Sequence, residues 1–455
     1  MRTWMTRTLV GLAGMGLVAA GQAAPATAAP SRSWPVTPAA LGSLYGSVDP
    51  GGMASVRVWG SAIWCYAQPT ADANVAANLD RLLAPSLDPV AAGGGGRAVV
   101  TIGHPAPWVF DNHPRALRPT KLWSCGNHAS SVSIPSVASL KPNRDGSPSV
   151  QAQRWAAYVG AVSDWIVTRY QGRIQVTLET WNEPNLTSGL NPGLRVPGAA
   201  RTPREAALSL HRYEAIARSV LVQRGSYGSI LLGSSAIFTR PNTFSRAYLS
   251  AHNRSRQIDA IHVNIYGFSG RSATGAVVDW DRRAAQMRKR LNGYRALRGL
   301  PAYVTEANLN LVNTNRNRSN LRGSITNPAE QRRMATATQM NAYFHGFSGV
   351  YWLIPWRQQQ AAVFVRTEPG NVARDALAVL QGALQGRQFV GCSSRKGLRT
   401  CRFVDPASGA VARVLWRNTG RSKVAVGGGE ILEVTGAVRP AGGREWVSTT
   451  PIVVR

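Results

Sequence analysis

From Leu41 to about residue 386 the chain repeats one theme: a short apolar, β-branched run, a break, then a longer stretch with helical period. The runs are Leu41–Ser47, Ser55–Gly60, Ala98–His104, Ile174–Trp181, Ser229–Ser235, Ala260–Gly267, Pro301–Asn308 and Gly349–Trp356. Such near-continuous apolar runs suit strands buried on both faces, as in a parallel sheet covered by helices. Helical period appears over Val75–Leu83, Gln151–Tyr170, Pro203–Val222, Trp280–Arg298, Pro328–Phe344 and Asn371–Leu384. Thr202-Pro203 and Asn327-Pro328 set a capping residue before a proline that fits a first helical turn. Eight strands with intervening helices predict an α/β fold of the (β/α)8 type, a TIM barrel. An open dinucleotide-binding sheet is disfavoured, because no G-x-G-x-x-G follows the first strand. Gly93–Gly96 precedes a strand and reads as a turn.

After about residue 387 the period changes. Short alternating runs (CRFVD, ARVLWRN, SKVAVG, EILEVTG, TPIVVR) are separated by Gly, Asn and Pro turns, predicting a small all-β, sandwich-like module. The chain thus divides into a leader (1–28), a linker (29–40), the barrel (41–386) and the module (387–455). Within the barrel, the stretches His104–Val150 and Val312–Thr326 read as long loops on one rim.

The leader has the form of an export signal. Arg2 and Arg7 precede the apolar run Leu9–Ala20, and small residues follow, with cleavage expected after Ala28 or Ala23. That run is shorter than the ~20 residues a membrane span requires, and no later stretch is long and apolar enough. The four cysteines, Cys65, Cys125, Cys392 and Cys401, fit an oxidising compartment. Three pairings exist, and loop-closure entropy favours the local Cys392–Cys401 bridge. A Cys65–Cys125 bridge would then staple two rim loops. No C-x-x-C or close His/Cys spacing occurs, so no metal site is expected. The formal charge is +30. Its arginines are scattered rather than gathered in one arm, which for an exported chain favours an anionic or wall-associated polysaccharide over nucleic acid.

Chemistry concentrates at two strand ends. Glu179-Thr180-Trp181-Asn182-Glu183-Pro184-Asn185 closes the fourth strand, and Tyr303-Val304-Thr305-Glu306-Ala307-Asn308 closes the seventh. Side chains at the C-terminal ends of barrel strands face the catalytic mouth. Two carboxyls meeting there at about 5–5.5 Å are what double displacement at a sugar acetal requires. The WNEP and TE motifs resemble the acid/base and nucleophile signatures of clan A glycoside hydrolases. Within that clan the chain looks most like family 39, through VRVW near the second strand, GHPAPW after the third, WAAYVGAVSDWIVTRY before WNEPN, and the trailing β-module.

The resemblance implies a secreted retaining glycosidase without cofactor, acting on a polysaccharide or oligosaccharide, with Glu183 as acid/base and Glu306 as nucleophile. It also implies that Asn182 binds the sugar 2-hydroxyl, Arg57 keeps the nucleophile ionised and Tyr266 donates to Glu306. Trp352 or Trp356 would form an apolar floor, and His104 would line the subsite. There are departures from the family pattern. Asn264 stands where a His usually precedes the Tyr, with His262 one pleat earlier, and Asn308 stands where a Gly is common. Glu179 reads as an interior ion-pair residue.

Overall fold

The computed structural model describes residues 34–35, 41–44, 55–93, 96–109, 134, 136–185, 200–239, 241–268, 272–310, 327–353, 365, 367 and 370–455. Eight parallel strands form the barrel: β1 (Leu41–Leu44), β2 (Ser55–Val58), β3 (Arg97–Thr101), β4 (Gln175–Glu179), β5 (Ile230–Gly233), β6 (Ile261–Phe268), β7 (Ala302–Asn310) and β8 (Gly349–Leu353). They run in the order β5-β4-β3-β2-β1-β8-β7-β6. The ring closes where Gly233 bridges Ala260 and the Ser234 N–H donates to the Ala260 carbonyl at 2.9 Å. The two-residue strand Ile237–Phe238 adds to the closure by pairing with β6.

Besides the single turn Trp64–Ala67, the helices are α1 (Val75–Leu82), α2 (Ala84–Ala92), α3 (Val150–Tyr170), α4 (Pro203–Gln223), α5 (Thr243–Arg254), α6 (Ala273–Asn292), α7 (Pro328–Phe344) and α8 (Val372–Leu384). Side chains of Asn74, Ser149, Thr202, Asn242, Ser272 and Asn327 cap them by accepting first-turn N–H groups. Each such cap is worth about 1 kcal/mol. The structure places α6 earlier than the predicted Trp280–Arg298, because Ser272 caps its start and the chain turns out at Gly293. Helices α2 and α5 were not predicted. Both are short, and α2 carries Pro89 within it.

Outward-facing residues of β2–β5, such as Val56, Val100, Leu178 and Leu232, pack on α1–α4. Those of β6–β8, such as Val263, Val304 and Val350, pack on α5–α8. Inside the ring, Val99, Tyr303 and Tyr351 fill a separate tier.

The C-terminal strands are β9 (Gln388–Arg395), β10 (Leu398–Val404), β11 (Val411–Arg417), β12 (Ser422–Gly427), β13 (Glu430–Glu433), β14 (Val438–Pro440), β15 (Gly443–Val447) and β16 (Ile452–Val454). All but β12 and β15 join one antiparallel sheet, ordered β9-β10-β11-β16-β13-β14. Trp34–Pro35, in the segment read as a linker, pairs with Phe389 and Gln388 at its edge. An edge is where a strand tolerates proline. The period of two sorts β11 cleanly. Ala412, Val414 and Trp416 face α7 and α8 through Met340, Tyr343 and Leu380, whereas Leu415 faces the β12–β15 ribbon through Val426 and Val447.

Polar contacts fix the module to the barrel: Arg399 bonds Asp281 at 2.5 Å and Asn341 at 2.7 Å, and Trp416 Nε1 donates to Asn341 at 2.9 Å. Cys392 and Cys401, opposite each other on β9 and β10, form a disulfide. Cys65 is also disulfide-bonded, and Cys125 lies outside the described residues. Among the described residues no helix is long and apolar enough to cross a membrane.

Candidate active site

At the C-terminal mouth of the barrel, β4 does not end as a regular strand. Thr180 turns outward to Glu214 on α4, and Asn182 bridges Ala236. The Glu183 N–H donates to the Ala236 carbonyl at 2.8 Å, with Glu183 at φ 49°. A left-handed backbone costs a non-glycine residue roughly 1–2 kcal/mol and persists only where its surroundings fix it. Here the fixing is visible. Asn185 exchanges two bonds with the Phe238 backbone, at 2.7 and 2.9 Å. Gly103 approaches so closely that a Cβ there would lie 1.8 Å from the Thr180 carbonyl oxygen.

Strand β7 reaches the mouth by a different device. Val263 of β6 is opposite Val304, but Asn264 is opposite Glu306, so Thr305 is an extra residue. This is a β-bulge, which re-aims the side chains beyond it. Ala302 and Val304 face the helices, as do Ala307 and Leu309. Strict alternation from Val304 would have sent Glu306 outward with them. The bulge turns it inward.

Between the two acids lies Asn264, whose Nδ2 is 3.0 Å from Glu183 Oε1 and 3.5 Å from Glu306 Oε2. Those oxygens are therefore no farther apart than the two contacts laid end to end. That upper bound includes the ~5–5.5 Å of retaining enzymes and only touches the lower edge of the ~6.5–9.5 Å of inverting ones.

The partners of the two acids differ. Glu306, 9% exposed, receives Arg57 Nη1 at 3.1 Å and the Tyr266 hydroxyl. Burial pushes its carboxyl up, while Arg57 and Tyr266 pull it back. Glu183 has neither partner. Burial first, and the neighbouring Glu306 charge second, push it up to about 8. When one proton is shared between them, Glu183 holds it and Glu306 carries the charge.

Arg57 is the hub. Besides Glu306 it reaches Glu179 at 2.5 Å and Asn182 Oδ1 at 2.7 Å. Glu179 also accepts from Thr101 at 2.7 Å and contacts His262 Nδ1 at 3.0 Å. Burial would raise the Glu179 carboxyl, but Arg57 and His262 outweigh it and hold it below the usual carboxylate range. Glu179 is thus an interior ion-pair residue.

The structure brings together Arg57, Asn182, Glu183, Asn264, Tyr266 and Glu306. His104 is buried against Trp181, with ring centroids 4.3 Å apart. Trp352 requires a correction. It is fully buried and faces outward among Val350, Ala307 and the helix layer, so it is no sugar platform. The parity of β8 decides this, since the interior position belongs to Tyr351. Trp356 lies outside the described residues. The aromatic surface described at the mouth is instead half-buried Phe238 and Phe268, which flank Tyr266 at 6.2 and 6.1 Å. Asn308 donates to the carbonyls of Leu353 and Val365 and accepts from the Val365 N–H, pinning the chain after β8 beside Glu306.

One buried acid gave no signal in the sequence. Glu214, wholly inside, receives Thr180 Oγ1 at 2.8 Å, the Ser235 N–H at 3.1 Å, the Tyr248 hydroxyl, and His252 Nε2 at 2.8 Å. It ties together the two segments that meet at the Asn182–Ala236 bridge. Glu214→Leu would strand these partners in the interior. A loss of about 3–5 kcal/mol of unfolding free energy is expected, read by denaturant titration.

Neither a family model nor a curated protein matches the chain. Among solved structures, CelM2, a bifunctional glucanase-xylanase from a metagenome library, aligns over 93% of this chain and 97% of its own, with a TM-score of 0.54 at 12% identity. A 4-O-α-L-rhamnosyl-β-D-glucuronidase from Fusarium oxysporum 12S aligns over the same shares, with a TM-score of 0.53 at 10% identity. The fold is that of the TIM-barrel glycosidases. Both neighbours extend over the barrel and the β-module together, so the two-part architecture as a whole is shared.

Proposed function

We propose that the chain is an exported retaining glycoside hydrolase of clan A, nearest in pattern to family 39. It would cleave O-glycosidic bonds of a polysaccharide or oligosaccharide by double displacement. The carrying observation is that two buried carboxyls share Asn264 while only Glu306 is held by Arg57 and Tyr266.

In the first step a Glu306 oxygen attacks the anomeric carbon and the bond to the leaving oxygen breaks, while Glu183 supplies that oxygen with its proton. In the second step Glu183, now ionised, takes a proton from water. The water oxygen attacks the same carbon and Glu306 departs. Asn182, fixed by Arg57, is placed to bond a sugar hydroxyl beside Glu306.

The charge of +30 and the glucuronidase among the structural neighbours favour an acidic or wall-associated glycan. The leader sequence and the Cys392–Cys401 disulfide favour export.

A panel of fluorogenic glycosides tests the reading. Glu306→Ala is expected to lose at least about a thousandfold in kcat, and NMR of the first-formed sugar is expected to show the anomer of the substrate. Binding without turnover across the panel, or a product of the opposite anomer, contradicts it.

A further inference from the structure

The β12–β15 ribbon covers the side of the module away from α7 and α8. Its inner face buries Val426 and Val447. Its outer face displays Arg421, Lys423, Ala425, Arg444 and Trp446, all exposed. Lys423 stands directly across from Trp446, and Ala425 across from Arg444. The guanidinium of Arg421 lies 4.9 Å from the Trp446 ring centroid. Glu445, the only acid of either strand, points the other way and pairs with Arg439.

Trp446 is 55% exposed, whereas Trp59 and Trp108 are half-buried and Trp64, Trp155, Trp165, Trp181, Trp280, Trp352 and Trp416 are buried. Leaving so much indole in water has no folding benefit, because the inner face of the ribbon is already closed by valines. Three cations surround it, and among the described residues of the two strands the one acid, Glu445, lies on the opposite face, where the Gly442 N–H, then Arg439 and last Lys423, lower its carboxyl.

We propose that this ribbon binds a glycan chain rich in uronic acids. A uronate offers both halves of the match. The C–H face of its ring stacks on an indole, and its carboxylate takes a guanidinium or ammonium. Successive outward side chains on a strand stand about 6.5–7 Å apart, so Arg421 and Lys423 can meet carboxylates on successive sugars. Arg421 can leave the indole at small cost, since an exposed cation–π contact is worth only about 0.5–1 kcal/mol.

Position supports the same occupant. Thr449, three residues beyond Trp446, accepts from Arg333 on α7 at 3.1 Å, and Arg333 also bonds Thr274 in the first turn of α6 at 2.7 Å. Helices of a (β/α)8 barrel begin at the catalytic end. The segment just beyond the ribbon is therefore anchored to α7 and to the first turn of α6, at the end of the barrel toward which the strands run. Nucleic acid matches the charge equally but not the site: a single exposed aromatic is a poor stacking platform for consecutive bases. This proposal deepens the glycosidase reading and rests on it for the choice of glycan.

The test is affinity electrophoresis of the full chain through gels containing polygalacturonate, neutral dextran or single-stranded DNA. Turnover of a small soluble aryl glycoside is assayed separately. Retardation is expected in polygalacturonate only, fading as salt rises through a few tenths molar. Trp446→Ala is expected to weaken it about tenfold and the pair Lys423→Glu, Arg444→Glu to abolish it, with aryl-glycoside turnover unchanged in both. Equal retardation of wild type and both variants overturns the ribbon assignment, and equal or stronger retardation by DNA overturns the glycan. Failure of aryl-glycoside turnover in the wild type counts against the catalytic reading alone, since the gel reads binding without chemistry.

Discussion

Turnover by the wild-type chain is expected to decline as pH rises through about 8, the value to which burial and the Glu306 charge push Glu183. Above it Glu183 is ionised and cannot protonate a leaving oxygen. Glu183→Gln removes that titration, and with it general acid catalysis worth about 10²–10⁴-fold on substrates with poor leaving groups. Activated aryl leaving groups need little protonation, so their first step is expected to suffer far less. A pH profile of kcat/KM for both substrate types, wild type against Glu183→Gln, checks this. A basic limb that survives in the variant contradicts the assignment.

The same shift has a consequence for stability. The ordinary value is 4.5, so between 4.5 and 8 the folded chain keeps a proton that the unfolded chain has released. The contribution of this group to stability therefore falls as pH rises through that window. Glu183→Gln, which cannot ionise, is expected to unfold at a higher temperature than wild type at pH 8.

Arg57→Met is expected to have the largest effect of any single substitution on both folding and chemistry. Arg57 is fully buried and is the shared cation of Glu179 and Glu306. Without it two carboxylates are left in the interior, and breaking a buried ion pair from one side costs about 3–5 kcal/mol. The carboxylates respond by taking up protons, and a protonated Glu306 is no nucleophile. Arg57→Lys is expected to rescue little, because Nε and Nη2 serve Glu179, Nη1 serves Glu306 and Nη2 also serves Asn182, and one ammonium cannot span them. Denaturant unfolding and kcat, measured on both variants, check the two halves. Wild-type stability in Arg57→Met removes the hub.

The eight strands were legible because most are short β-branched runs set between helical stretches, even though the inward parity of β4 (Gln175, Thr177, Glu179) and β6 (His262, Asn264) is polar. Glu183 and Glu306 were legible as acids at strand ends, and Arg57, Asn182 and Tyr266 through the resemblance, from which Asn264 departs. What was not legible depends on parity and on distant partners. Trp352 was one of two tryptophans, with Trp356, that the resemblance offered as an apolar floor, but its neighbour Tyr351 holds the inward position. Glu214 sits mid-helix in an ordinary amphipathic stretch, and only the fold brings Thr180, Ser235, Tyr248 and His252 to it. Helix α5 is short and, around Phe244, Tyr248 and Leu249, largely polar, so its apolar stripe is thin. Its Asn242–Ser245 capping box was the one available signal.

The extra residue at Thr305 makes the aim of Glu306 a matter of chain length more than of side-chain identity. A drift in sequence along β7 can alter which atoms surround the carboxyl without rotating it. Gaining a single residue between Val304 and Glu306 would instead turn it toward Trp280 and Met334, into the hydrocarbon between barrel and helices. For this strand an insertion is a graver event than a mismatch.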